Sequence, residues 1–412
     1  MHPLRFSHSS FVPGSIINQF LFSIMLILIL SSCATYKYKK QGFVETENYD
    51  VEISFKNDQN FIFIPVVIQG KSYNFLLDTG AELNIIDHTI ARELDFKNLK
   101  KGMVSSGNTS VSGNQRVEIN TIEIGGIEFQ NTVGMIWDVS NFSKYIRCER
   151  IDGIIGNNLM RKANWQIDYQ NQTIRITDNI DNLPLSNNSK KIPMNAGEVG
   201  NIYLQLEINQ QTMPFTFDTG YNGFAQTGDM SLMRETVFTK VGIKGANFAG
   251  SSEGSTHYVK IKDFKINDLT FQSPSHFLIK LNNSSILGNE FFKNYRITID
   301  WDNDNLILDK HDGFEIKEPR VYEVSFFTDF EKGIVTIGSI DAKSILFETI
   351  KPKSKVLKIN NVDLIELERN GALCSFWSEE WQGIKSSDML MVTLEEGGLE
   401  RQIEVKMIKN AW

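Results

Sequence analysis

Tyr73-Asn74-Phe75-Leu76-Leu77-Asp78-Thr79-Gly80 and Met213-Pro214-Phe215-Thr216-Phe217-Asp218-Thr219-Gly220 are two versions of one phrase, set 218 − 78 = 140 residues apart. Each is an apolar strand that ends in Asp-Thr-Gly. The same offset lays Ile64 on Leu204, Val66 on Leu206 and Ile68 on Ile208, with Gln69-Gly70-Lys71 and Asn209-Gln210-Gln211 as the turns between. The pattern predicts a β-hairpin in each copy, whose second strand delivers an aspartate into a turn.

A second element recurs after each hairpin. Asp152-Gly153-Ile154-Ile155-Gly156-Asn157-Asn158-Leu159-Met160 matches Ser284-Ser285-Ile286-Leu287-Gly288-Asn289-Glu290-Phe291-Phe292 at an offset of 288 − 156 = 132. The register continues through Ile167-Asp168-Tyr169 and Ile299-Asp300-Trp301, where both aspartates read as turn or strand-end residues. Two half-domains of ~130 residues, each with an apolar face, can bury those faces together. Short helices are expected near Thr89 to Leu94 and after Gly156.

These motifs resemble the aspartic proteases of the pepsin and retropepsin group over roughly residues 49–312. The resemblance implies a mainly β fold: a two-lobed acid-protease-like β-barrel arrangement with lobe 1 at 49–184 and lobe 2 at 185–316. Lobes this short, and Ala81 after the first turn, look more like retropepsin subunits fused in tandem. Asp78 and Asp218 would be the catalytic pair, with Thr79, Gly80, Thr219 and Gly220 completing the turns. Ile154, Ile155 and Gly156 would pack beneath Asp78, and Ile286, Leu287 and Gly288 beneath Asp218. The hairpins Ser105 to Gly113 and Gly245 to Gly254, the latter with Phe248 near its tip, are both candidates for the family's flap. The first lacks the tyrosine that the pepsin branch carries there.

The chemistry needs two carboxylates for a physical reason. Carboxylates within hydrogen-bond reach cannot both ionise cheaply, so the pair shares one proton and titrates as a unit. One member is then a base for a bound water and the other an acid for the scissile carbonyl, with no metal or organic cofactor required. The pepsin branch has Ser or Thr after Asp-Thr-Gly, whose hydroxyl stabilises an ionised aspartate; Ala81 and Tyr221 stand here. An optimum less acidic than that of a gastric-type protease is expected. Sequence does not assign which aspartate is base and which is acid.

The chain has 412 residues, 41% of them apolar and 11% aromatic, enough for large cores and two to three domains. A formal net charge of −8, with no basic block or zinc-type cysteine spacing, argues against a nucleic-acid partner. His88, His257 and His276 are isolated in the sequence, and no metal is expected. Residues 1–32 read as an export signal with an apolar run from Phe20 to Leu30, too short to span a bilayer. The run ends Leu30-Ser31-Ser32-Cys33, which resembles the bacterial lipobox and implies lipidation of Cys33; an ordinary signal peptide with an incidental cysteine is the alternative. Several acyl chains would anchor the protein stably. Residues 33–48 would be a tether, and the lack of Asp beside Cys33 favours the outer membrane, facing the periplasm. Cys148 and Cys374 fall in different domains and are not expected to pair.

Residues 317–412 have a different texture. Gly333 to Ile337, Ser339 to Phe347, Val356 to Val362, Met391 to Leu394 and Ile403 to Met407 resemble a PDZ domain, although Lys353-Ser354 stands where that family has Gly-Asp; an accessory β-rich cap on lobe 2 is the alternative. Such a domain would bind a protein C-terminus by strand addition. The sequence thus points to a membrane-tethered aspartic endopeptidase acting on exported proteins or peptides. The competing class is an inactive peptide-binding lipoprotein using the cleft and the PDZ-like domain. A single-chain pair of aspartates needs no dimer.

Overall fold

A computed structural model describes residues 40–408, apart from 97, 107–108, 147–149, 198–199, 248–249 and 312–319; the side chains of 98–106, 109–114, 145–146, 247, 262 and 272–276 are likewise left aside. Cys33, the export segment, residues 34–39 of the tether, Cys148 and Phe248 lie outside the described residues. Among those described, no helix is long and apolar enough to cross a membrane.

The architecture is mainly β, and the sequence repeat becomes a structural one. In lobe 1 the strands Phe61–Ile68 and Lys71–Leu77 form the first hairpin, pairing Ile64 with Phe75 and Val66 with Tyr73. Gly153–Ile155 runs parallel to the second strand, and Asn84–Asp87, Ile127–Trp137 and Thr109–Ile124 carry the sheet round until it meets Phe61–Ile68 again. Six strands therefore close a barrel. Lobe 2 repeats the circuit with Ile202–Ile208, Gln211–Asp218, Ile286–Gly288, Ala225–Thr227, Leu269–Leu281 and Gly250–Ile266, closing through Leu206 and Ile266. Alternation of side chains turns Ile64, Val66, Ile68, Leu204, Leu206 and Ile208 inward, all buried. The helices His88–Glu93 and Asn157–Met160 occur where the sequence predicts them.

A six-stranded sheet joins the lobes: Lys190–Pro193, Asn305–Lys310, Tyr295–Asp300, Asn164–Asp168, Thr173–Thr177 and Asp50–Ser54. At its centre Gln166 lies opposite Thr298, its own counterpart at 298 − 166 = 132, and donates to the Thr298 hydroxyl at 2.9 Å. A pseudo-twofold axis therefore passes through this pair. One hydrophobic core runs continuously through both lobes. Asp168 and Asp300 do the same local work, each accepting hydrogen bonds from the backbone and side chain of the asparagine three residues on.

Beyond lobe 2, the strands Val324–Asp329, Ile334–Asp341, Lys355–Ile359, Met389–Glu396 and Leu399–Lys406, with helices Leu364–Arg369 and Trp381–Ile384, enclose a core of their own around Ile337, Val356, Phe376 and Val392. This C-terminal unit is not a free appendage. Ser339, Ile340 and Asp341 pair with Gly242, Val241 and Lys240 of the lobe 2 strand Thr236–Asn247, so both belong to one sheet. Lys353 bridges to Glu253 of the same hairpin at 2.5 Å. Lobe 1 reaches the unit too: its helix Ser140–Ile146 packs on Val324–Asp329, and the Phe330 amide donates to the Lys144 carbonyl at 2.8 Å.

Cys374 is disulfide-bonded, which corrects the expectation that the cysteines stay apart. The bonded partner lies outside the described residues. Separate domains do not mean separate neighbourhoods here, since the lobe 1 helix Ser140–Ile146 is docked on the C-terminal unit.

Candidate active site

Both Asp-Thr-Gly turns arrive at the pseudo-twofold axis, and the threonines hold them there. The Thr79 hydroxyl donates to the Phe217 carbonyl at 2.8 Å and accepts from the Thr219 amide at 3.0 Å. Thr219 reciprocates, donating to the Leu77 carbonyl at 2.8 Å and accepting from the Thr79 amide at 3.0 Å. Both threonines are fully buried, so four bonds that would each contribute about 1 kcal/mol net would leave costly orphans if broken.

Each turn also shapes its own carboxylate. Asp78 Oδ1 accepts from the amides of Gly80 at 2.8 Å and Ala81 at 3.1 Å, and Asp218 Oδ1 accepts from the Gly220 amide at 2.8 Å. The glycines are required by contact across the axis. A Cβ on Gly80 would stand 2.6 Å from Asp218 Cγ, and one on Gly220 would collide with the Asp78 carboxyl.

The supporting strands lie beside the turns. Ile155 pairs with Leu77 and accepts the Asp78 amide at 3.0 Å; Leu287 pairs with Phe217 and Gly288 with Asp218. A Cβ on Gly156 would press on the Leu83 and Ala81 carbonyls, and one on Gly288 on the ring and carbonyl of Tyr221.

Two residues at the site had no role assigned from sequence. Asn157 Nδ2 donates to the Thr79 carbonyl at 2.5 Å and Asn289 Nδ2 to the Thr219 carbonyl at 2.6 Å. Asn289 reaches further, donating to the Asn60 carbonyl and accepting from the Tyr169 hydroxyl, both at 2.6 Å, and so ties lobe 2's turn to lobe 1. The signal was available: both asparagines follow the repeated apolar-apolar-Gly strand.

Burial raises both aspartates above the ordinary 3.8, and the negative charge of Asp78 pushes Asp218 up further. Backbone N–H groups pull in the other direction without cancelling burial. The arrangement therefore favours a protonated pair over a fully ionised one. Burial leads here, rather than a hydroxyl missing after the turn.

Of the histidines, only His88 sits in a cluster with metal-ligand potential among the described residues, with Asp87 and Asp138. Asp87 is already engaged, accepting from the amides of Thr89 at 3.0 Å and Val139 at 3.3 Å and pairing with Arg150 at 3.2 Å. Its role is to cap a helix and fasten a loop. At the first flap candidate Asn98–Ser106 pairs antiparallel with Thr109–Ile124, and at the second Thr236–Asn247 pairs antiparallel with Gly250–Ile266.

Comparison with known proteins adds one match. A family model described as aspartyl protease covers residues 64–159, from the first hairpin through the helix after Gly156. That stretch contains Asp78 and its supporting strand, and the match supports a protease-like function. No curated protein matches the chain.

Proposed function

We propose that the chain is an aspartic endopeptidase in which Asp78 and Asp218 act as one dyad. The observation that carries this reading is the reciprocal Thr79–Thr219 lock, which fixes two carboxyl-bearing turns against each other across the lobes. The ionised member of the pair takes a proton from a bound water. Its oxygen attacks the scissile carbonyl carbon while the protonated member donates to the carbonyl oxygen. Collapse of the tetrahedral intermediate, with proton transfer to the nitrogen, breaks the C–N bond and releases the acid and amine products. Pre-positioned turn amides stabilise charge on the carboxyls without reorganisation during the reaction.

The cellular setting belongs to the same proposal. Lipidated Cys33 would tether the enzyme to the outer membrane, facing the periplasm, where it would cut extended segments of exported proteins. The C-terminal unit would serve as a PDZ-like domain that binds a chain end. Incubating the full chain in detergent with a diverse peptide pool across pH 3 to 8, and reading products by mass spectrometry, tests the activity. Cleavage is expected to peak well above pH 2; binding without cleavage at any pH would favour an inactive peptide-binding protein.

A further inference from the structure

Outside the dyad, the most unusual chemistry in lobe 2 is a group of cations with little negative charge to face. The strand Gly250–Ile266 turns Val259 and Ile261 into the barrel and hence Tyr258 outward. Leu269–Leu281 turns Ile279 and Leu281 inward and hence Lys280 outward, directly opposite Tyr258. Phe238 stacks on Tyr258 with centroids 4.5 Å apart, and Lys240, two residues further along that strand, is only 5% exposed.

The patch adjoins the catalytic turn. Tyr221 follows Asp218-Thr219-Gly220 directly, and its hydroxyl faces the Lys280 ammonium. Lys280 Nζ lies 6.0 Å from the Tyr258 ring centroid. The lobe 1 helix Ser140–Ile146 packs against Thr236–Asn247 and Gly250–Ile266, the two strands that carry Lys240 and Tyr258.

Charge there is unbalanced. Among the described residues the one carboxylate acting on Lys240 is its cross-strand neighbour Asp341, which is buried and already accepts the Lys343 amide, and the groups that face Lys280 are the phenols of Tyr221 and Tyr258. Burial pulls Lys240 down to about 7, against Asp341 and helped by the positive charge of Lys280. A buried cation short of a partner is costly unless an anion arrives.

We propose that Lys280 and Lys240, with the hydroxyls of Tyr221 and Tyr258, form a subsite on the Asp218 side of the cleft that binds a carboxylate of the substrate. This rests on the endopeptidase reading and specifies its substrate: a peptide with an acidic side chain, or its own C-terminal carboxylate, close to the scissile bond. An ammonium–carboxylate hydrogen bond in a partly buried site discriminates against the neutral amide by about tenfold or more.

The test uses capped octapeptides bearing a single Glu, or Gln in its place, at each position around a Leu-Phe pair, and uncapped counterparts ending in a free acid or an amide. Binding is measured by fluorescence anisotropy to the full-length Asp78→Asn protein, and cleavage with the parent. At one position the carboxylate peptide is expected to bind at least about tenfold tighter than its amide, a ratio that Lys280→Met brings to near one and Lys280→Arg retains. A preference confined to the free-acid peptides identifies the terminal carboxylate as the ligand; one for internal Glu identifies the side chain. Equal binding of every pair to the parent scaffold, or a preference that survives Lys280→Met, overturns the subsite. Because the readout is binding, a preference without cleavage would refute the endopeptidase reading and leave the subsite standing.

Discussion

Gly80 lies against Asp218, and a methyl group placed on it would stand 2.6 Å from the Asp218 carboxyl carbon. The first turn is therefore shaped by the second turn's carboxyl group. Gly80→Ala must push the turns apart, and a loss of at least about a hundredfold in kcat/KM is expected, since misplacement by about 1 Å costs that much. A Gly80→Ala enzyme within a few-fold of the parent would show that the turns are not in functional contact.

The threonine lock predicts an asymmetry between two substitutions. Thr79→Val leaves the buried Thr219 amide and Phe217 carbonyl without their partner and should cost about 2–5 kcal/mol, whereas Thr79→Ser keeps both bonds and should cost about 1 kcal/mol. Urea unfolding of the two variants measures the difference.

The two asparagines are equivalent in sequence but unequal in work. Asn289 makes three hydrogen bonds and Asn157 one, with its Oδ1 left without a partner. Asn289→Ala should therefore destabilise by about 2 kcal/mol more than Asn157→Ala, at roughly 1 kcal/mol per bond. Equal midpoints in urea would contradict the cross-lobe role of Asn289.

The dyad's titration sets a sign for stability. Both folded-state values lie above the ordinary 3.8, so the protonated pair is favoured by folding. That contribution is complete below the unfolded carboxylate range and is lost as pH rises through the folded values. Asp218→Asn is neutral at every pH, so its Tm should exceed the parent's by a few degrees at pH 8, the gap closing toward pH 4. Thermal melts followed by circular dichroism across that range would contradict this if the gap widened as pH falls.

The junction with the C-terminal unit depends on Gly242, which has φ +139° and where a Cβ would stand 2.8 Å from Ser339 Cα. Gly242→Val should unzip the pairing of 240–242 with 339–341 and speed proteolysis between lobe 2 and the C-terminal unit several-fold. An unchanged digestion pattern would mean that the strand pairing does not hold the unit in place.

The duplicated hairpins, the apolar-apolar-Gly strands and the short helices could be read from sequence because each is a local pattern stated twice. Repetition turned weak motifs into a strong one. Asn157 and Asn289 were visible as repeats, yet their bonds to Thr79 and Thr219 depend on a turn folded back over 70 residues or more. The sharing of one sheet by lobe 2 and the C-terminal unit has no sequence signature, because strand pairing between Val241 and Ile340 is set by tertiary docking. Nothing in the sequence singles out Lys280, which faces Tyr221 only once lobe 2 is folded.

The central claim is that Asp78 and Asp218 are one catalytic unit, and the most direct test is a double-mutant cycle in kcat/KM with Asp78→Asn, Asp218→Asn and the doubly substituted protein. Groups that act together are grossly non-additive. The account predicts that either single substitution abolishes cleavage as fully as both together. Substantial activity in either single variant, or losses that simply add, would contradict it.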